Sequence, residues 1–360
     1  MPVGAFVYQA RPQRVVFGVG TIAKVAEEAA RLGIKRALVI STPEQKAHGE
    51  EVAALLGPAF GVAFPGARMH TPVDVTEAAL ALVKRDGVDG TVAIGGGSTT
   101  GLGKAIALRT DLPQIVLPTT YAGSEMTTIL GETEAGAKKT IRSDKVLPET
   151  VIYDVDLTLT LPVGLSVTSG FNALAHAVEG LYARDGNPIL SLMAEEGIRA
   201  LAAAFPLIAA DPGDQAARSD ALYGAWLCGT VLAGTAMALH HKLCHVLGGS
   251  FDLPHAETHA VVLPHAAAYN APAAPDAMAK VARALGAPEA AAGLFDLAKT
   301  AGAPLALRDI GMPESGLDRA ADLAVADPYW NPRPIDRAAI RALLDDAWHG
   351  RRPGASAKRQ

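Results

Sequence analysis

Gly90-Thr91-Val92-Ala93-Ile94-Gly95-Gly96-Gly97-Ser98-Thr99-Thr100-Gly101-Leu102-Gly103-Lys104 reads as a strand that ends in a glycine turn and reopens as a helix. Thr91, Val92 and Ile94 are β-branched and favour a pleated surface, and an unbroken apolar run suits a strand buried on both faces. Consecutive glycines let backbone approach a ligand closely. The helix they open offers unpaired N–H groups and a partial positive charge, which suits a pyrophosphate. The expectation is a dinucleotide phosphate held at Gly96, Gly97 and Ser98. The run is not the GxGxxG fingerprint, which a standard dinucleotide fold carries after its first strand.

Working outward, Ala37–Ile40, Gly61–Phe64, Gln114–Leu117 and Val151–Asp154 are further short apolar runs, interleaved with helical segments such as Ile22–Leu32. Strands alternating with helices predict a doubly wound, mostly parallel sheet covered on both faces. After Leu161-Pro162 the character changes. Segments Asn172–Ala183, Ile189–Ala204 and Asp214–Ala238 are rich in alanine and leucine, the strongest helix formers, with few β-branched strands between them. The predicted organisation is a Rossmann-like α/β dinucleotide-binding domain over 1–160 and an all-helical catalytic domain over 161–360. Gly350–Gln360 reads as a solvated end.

Composition narrows the function. The chain has 360 residues, of which 49% are apolar and 19% charged, with a formal net charge of −5. That describes a filled globular protein and gives no basic footprint for nucleic acid. No stretch approaches a membrane span and the N-terminus has no basic leader, so a cytoplasmic protein without membrane contact is expected. Cys228 and Cys244 sit in apolar helical surroundings and read as buried, reduced thiols.

Two further strand ends carry hydroxyls. Ser41 and Thr42 follow Ile40; Thr119 and Thr120 follow Pro118 and precede Tyr121. In an open α/β sheet such positions line the crevice that takes ribose and phosphate. Thr42 stands where an acidic residue would repel a 2′-phosphate, so both NADH and NADPH are expected as cofactors.

The helical half carries the chemistry. Asn172 and His176 are four apart, as are His241 and His245, so each pair shares a helix face. His255 follows Pro254 close behind. Imidazoles aimed into one cleft suit proton transfer or metal binding, but a divalent ion prefers a carboxylate among its ligands and position 172 supplies a neutral amide. His240 is expected to point away from the cleft, and His259 and His265 to be structural.

Taken together, the GGGS run at Gly95–Ser98, the Pro118-Thr119-Thr120 loop, the Asp144–Pro148 segment, Gly170-x-Asn172-Ala-x-x-His176 and the His241, His245, His255 spacing resemble the iron-containing, group III alcohol dehydrogenase family. The resemblance covers nearly the whole chain and implies a dehydroquinate synthase-like architecture, a nicotinamide cofactor and a homodimer. It places Lys139 near the nicotinamide ribose. It places the family's metal ligands on Asn172, His176, His241 and His255, with His245 as a further active-site histidine. The sequence departs at Asn172, where the family's alcohol dehydrogenases carry aspartate, and at Gly101, where many members carry aspartate. More narrowly, Gly96–Lys104, the short loop ending Ser124-Glu125, and Asp327-Pro328-Tyr329-Trp330-Asn331-Pro332-Arg333-Pro334 are similar to the branch that reduces 2-maleylacetate to 3-oxoadipate.

That branch implies a small dicarboxylate substrate, for which Arg142 is a candidate for bidentate capture of a carboxylate, with His70, Tyr121 and Arg333 as further substrate-binding candidates. Hydride would add to a conjugated carbon–carbon double bond while His241 or His245 stabilises or protonates the enolate, with His176, His255 and Asn172 completing the site. A conjugated acceptor is already electrophilic at carbon, so iron or zinc is not expected to be required. The alternatives are a metal-dependent alcohol dehydrogenase of the same family, a nucleotide-binding regulator without chemistry, and a lyase on the same architecture.

Overall fold

The structure, a computed structural model, describes residues 5–134 and 137–354. The chain divides into two compact units: Ala10–Leu161, and Pro162–Gln360 together with Met1–Gln9.

The first unit holds strands β1 (Arg14–Gly18), β2 (Ala37–Ile40), β3 (Phe60–Phe64), β4 (Gly90–Gly95), β5 (Gln114–Pro118), β6 (Ile129–Glu134), β7 (Ala137–Arg142) and β8 (Thr150–Asp154). Its helices are α1 (Val25–Arg31), α2 (Lys46–Leu56), α3 (Val73–Asp86) and α4 (Gly97–Thr110). Six strands form one sheet in the order β1-β8-β5-β4-β2-β3, with every neighbouring pair parallel. The two-residue side-chain period explains the layering. Val39, Val92, Ile94, Ile115 and Leu117 pack against α1 and α2 on one face, and Leu38, Ile40, Ala93 and Val116 pack against α3 and α4 on the other. Each fully buried valine, leucine or isoleucine contributes about 1.5–3 kcal/mol. The doubly wound parallel sheet is therefore as expected.

Two features are additional. β1 adds beside β8 at an edge, and β6 and β7 form a separate antiparallel hairpin. The hairpin strands are dominated by glutamate, lysine and threonine, so no apolar alternation announces them.

The second unit is helical: α5 (Val163–Leu181), α6 (Pro188–Ala210), α7 (Gln215–Gly234), α8 (Leu239–Phe251), α9 (His255–Asn270), α10 (Pro275–Leu285), α11 (Ala290–Thr300), α12 (Leu317–Ala326) and α13 (Arg337–His349). α5 starts at Val163, earlier than its alanine-rich part suggested, and is buried from Ser166 to Gly180. α6 and α7 meet closely because Gly197 and Gly224 face each other; a Cβ at Gly224 would lie 3.0 Å from the Gly197 carbonyl oxygen. The segment read as one helix over Asp214–Ala238 stops at Gly234 and the chain turns 97° into α8. Among the described residues no single helix is long and apolar enough to cross a membrane.

Candidate functional site

In the first unit, β3 lies on one side of β2 and β4 on the other, so the strand order reverses there. Ligands of open parallel sheets bind beyond the carboxyl ends at such a point. Because β5, β4 and β2 are adjacent and parallel, their C-terminal loops leave the same edge. Ser41 and Thr42 follow β2; Gly96, Gly97 and Ser98 follow β4; Thr119 and Thr120 follow β5. Gln45 Nε2 donates to Thr119 Oγ1 at 2.8 Å, and Thr119 N donates to Gly95 O at 3.0 Å, tying the three loops together. Gly97 is exposed at the start of α4, which has no side-chain cap, so its first N–H groups are left for an anion. Gly95 needs its glycine, with φ at 144°.

Lys104 pins this region from beneath. Fully buried, its ammonium donates to Ser124 O, Thr127 O, Thr127 Oγ1 and Ile129 O at 2.6–3.0 Å. Burial pushes it down to about 7, against the pull of Glu125. Gly101 also has a reason to be small. A Cβ there would collide with Thr71 Oγ1, and Thr71 together with His70 adopts the left-handed backbone conformation rare for side-chain-bearing residues.

In the second unit, α5 presents Asn172 and His176, α8 presents His240, His241, Cys244 and His245, and α9 opens with His255 and continues to His259. The His176 and His241 rings stack with centroids 5.0 Å apart, and His241 lies 6.3 Å from His245 and 5.1 Å from His259. The His255 and His259 centroids are 4.4 Å apart. Asn172, His176 and His241 are buried, whereas His245 and His255 are exposed. Burial, followed by the neighbouring imidazoles, holds His176 well below the usual histidine range, and the same causes act on His240 and His259.

The organising residue is Glu179, to which the sequence reading gave no role. Its fully buried carboxylate accepts from Ala238 N at 2.8 Å, His240 N at 2.7 Å and His241 Nδ1 at 2.7 Å. Ala238 is the N-cap of α8 and has no side chain with which to cap it; Glu179, reaching from α5, supplies the acceptor and sits at the positive end of the helix dipole. The only available signal was its place three residues after His176, on the same helix face. Tyr329, quoted within a motif but given no role, hydrogen-bonds His245 Nδ1 through its hydroxyl at 3.0 Å.

His240 Nε2 and His259 Nδ1 are hydrogen-bonded at 2.8 Å, with Cys244 Sγ 3.6 Å from the former. One donor atom from each of these residues lies within 4.8 Å of the others. An ion on those two nitrogens would force protons onto His240 Nδ1 and His259 Nε2, both buried without partners. The trio is therefore a core hydrogen-bonded pair beside a thiol, as expected for structural histidines. Cys228 and Cys244 are free and buried, and His265 is buried beside Phe295.

Two substrate-binding expectations and one cofactor-binding expectation need correction or qualification. Tyr121 is fully buried, so it is not an accessible donor. Arg333 is engaged structurally: its guanidinium donates to Tyr269 O at 2.9 Å and lies 4.1 Å from the Tyr269 ring centroid. Lys139 is exposed and paired with Glu134 at 2.7 Å, so it reaches a ribose only by giving up that partner. Arg142 and His70 are exposed, and Arg142 makes no ion pair among the described residues.

Asn172 Oδ1, His176 Nδ1 and His241 Nε2 are buried without hydrogen-bond partners. Such atoms suit a divalent cation in donor type, and a carboxylate behind a ligating imidazole is the usual support for one. What the positions Asn172, His176, His241 and His255 lack is an anion among the ligands themselves.

Comparison with known proteins agrees with these features. Residues 12–155 match iron-containing alcohol dehydrogenase, and residues 166–348 match the Fe-containing alcohol dehydrogenase family, C-terminal. The chain is 59% identical to maleylacetate reductase from Rhizobium sp. (strain MTP-10005) over 91% of this chain and 93% of that one. It is 57% identical to maleylacetate reductase from Burkholderia cepacia, covering 92% of this chain and 94% of that one. The crystal structure of maleylacetate reductase from Agrobacterium tumefaciens superposes with a TM-score of 0.95 at 58% identity, covering 97% of this chain and 100% of that one. That of an iron-containing alcohol dehydrogenase from Corynebacterium glutamicum gives 0.93 at 43% identity, covering 98% and 99%. The chain belongs to the iron-containing alcohol dehydrogenase family of oxidoreductases.

Proposed function

We propose that this protein uses a reduced nicotinamide cofactor to convert maleylacetate to 3-oxoadipate. The relatives named above support the substrate. The observation that carries the chemistry is the arrangement around His241: its Nδ1–H is held by Glu179, its Nε2 is buried and unpartnered, and the neighbouring family ligand position is the neutral Asn172. Hydride from the nicotinamide adds to the alkene carbon β to the ketone, the π electrons move to the ketone oxygen, and the enolate is protonated at the adjacent carbon. A donor preorganised at that oxygen lowers the barrier most. His241 serves there by taking up a second proton at Nε2 when substrate binds, with Glu179 facing the resulting imidazolium through Nδ1–H, and His245 delivers the proton to carbon. His176, His255 and Asn172 shape the site, and Arg142 receives a substrate carboxylate.

A divalent ion, where bound, would be held by Asn172, His176, His241 and His255 and would polarise the ketone oxygen. We propose that turnover does not require it, because the acceptor is conjugated and the family's anionic ligand is replaced by an amide. Either NADH or NADPH serves as reductant, engaging Gly96, Gly97, Ser98, Thr119, Thr120, Ser41 and Thr42. A cytoplasmic homodimer belongs to the same reading, supported by the exposed apolar side chains of Phe6, Val7 and Tyr8. The test is NADH oxidation with maleylacetate before and after exhaustive chelation, beside simple alcohols with NAD. Unchanged reduction after metal removal and no alcohol oxidation are expected. Loss of turnover on chelation, restored by iron or zinc, would move the assignment to metal-dependent alcohol oxidation.

A further inference from the structure

The motif Asp327–Pro334 lies between α12 and α13 and is stapled to the end of α9. Asn331 and Asn270 exchange side-chain amide hydrogen bonds at 2.6 and 2.9 Å. Arg333 donates to Tyr269 O, and Tyr269 donates from its hydroxyl to Pro334 O at 2.6 Å. Pro328, Pro332 and Pro334 remove backbone freedom along the strap. Its outer part carries Tyr329, half-buried, whose hydroxyl oxygen lies 3.0 Å from His245 Nδ1 and whose ring has Lys242 Nζ 5.5 Å from its centroid.

A neutral imidazole carries one proton, and the partner of one nitrogen decides which nitrogen carries it. Tyr329 can either donate to His245 Nδ1 or accept from it. A phenol is the stronger donor of the pair and an unprotonated imidazole nitrogen the stronger acceptor, so the contact is better made with Tyr329 donating. Partial burial, with Asp327 and Glu179 nearby, also keeps the phenol protonated by raising it above its ordinary range. Donation from Tyr329 is therefore favoured. His241, one turn earlier on α8, faces the opposite partner: a carboxylate can only accept, so Nδ1 of His241 carries the proton.

We infer that Tyr329 is a positioning residue that sets His245 in the Nε2–H tautomer, opposite to its neighbour His241, and so makes His245 the proton donor of the site. The strap would then place one phenol against one ring, which accounts for the motif's stapling to α9. The inference on the tautomer does not depend on the substrate; its kinetic consequence rests on the proposed reduction of maleylacetate.

The test is long-range proton–nitrogen correlation NMR on the full-length protein labelled at its histidine ring nitrogens, with His245→Asn and His241→Asn assigning the signals. The Nε2–H pattern is expected for His245 and the Nδ1–H pattern for His241. In Tyr329→Phe, which keeps the ring, the His245 signals should move toward a mixture of tautomers. With maleylacetate, kcat of that variant should fall roughly tenfold or more while KM changes little. An Nδ1–H pattern for His245 in the unaltered protein overturns the inference even if the enzyme reduces maleylacetate. So does a Tyr329→Phe variant with unchanged signals and kcat. An unaltered protein inactive on maleylacetate but showing the expected tautomers would instead sink the substrate reading.

Discussion

Glu179 and His241 are 62 residues apart in the chain and 2.7 Å apart in space, carboxylate oxygen to ring nitrogen. The contact does two jobs, capping α8 through Ala238 and His240 and orienting the imidazole whose other nitrogen is unpartnered. Glu179→Gln keeps the shape and removes the charge. It leaves one oxygen for four donors, Ala238 N, His240 N, His241 Nδ1 and the Tyr182 hydroxyl, and turns an amide N–H toward a group that formerly donated. We expect kcat to drop roughly 10- to 100-fold, as for loss of an orienting partner behind an active-site imidazole, with a lower denaturation midpoint. A variant with wild-type kcat would remove Glu179 from the mechanism.

Gly101→Asp adds a carboxylate-bearing side chain inside α4. In this chain it meets Thr71 Oγ1, so overpacking of about 1–3 kcal/mol is expected in urea unfolding. Thr71→Ala should recover most of the loss in the double variant, because the two positions are in contact and do not act additively. Equal losses with and without the Thr71 change would show that Gly101 is needed for another reason.

We propose that cofactor choice is set near Thr42. The Glu44 carboxyl accepts hydrogen bonds from its own N–H and from Thr42, which hold it below the usual carboxylate range and keep a negative charge beside that residue. Glu44→Gln is expected to raise kcat/KM for NADPH several-fold while leaving NADH within about twofold, since a nearby charge acts on the extra phosphate. An unchanged NADPH-to-NADH ratio would place Glu44 outside the ribose site.

Acid stability should report the buried histidines. Burial lowers His265 from an ordinary 6.5 to about 4, so the unfolded chain binds the proton first as pH falls. Stability is therefore complete above pH 6.5 and is lost progressively down to about pH 4, by about 3 kcal/mol for this residue. His265→Asn should flatten the pH dependence of unfolding free energy in that window by about 1.4 kcal/mol per pH unit. His176, His240 and His259 sustain the remaining slope. A curve as steep as that of the unaltered protein would exclude His265 as a contributor.

Much of this protein was legible along the chain because it is periodic or local. The parallel strands announced themselves as β-branched runs, the glycine turn at Gly95–Gly97 as a backbone demand, and the Asn172/His176 and His241/His245 pairs as helix-face spacings. The hairpin strands Ile129–Glu134 and Ala137–Arg142 were hidden because the buried face of the first carries Leu130 and then Glu132, whose burial depends on its ion pair with Arg109 rather than on apolar alternation. Arg333 looked like a cation free for substrate, and only the fold showed it packed on Tyr269.

Sequence alone determined the two-part architecture and the residue types brought to the site, since hydrophobic period and glycine chemistry act over a few neighbouring residues. The tertiary structure decided which nitrogen of each histidine is held. That depends on Glu179 and Tyr329, which lie 62 and 84 residues from His241 and His245. No local periodicity encodes such pairings, because the packing of α5, α8 and the strap creates them.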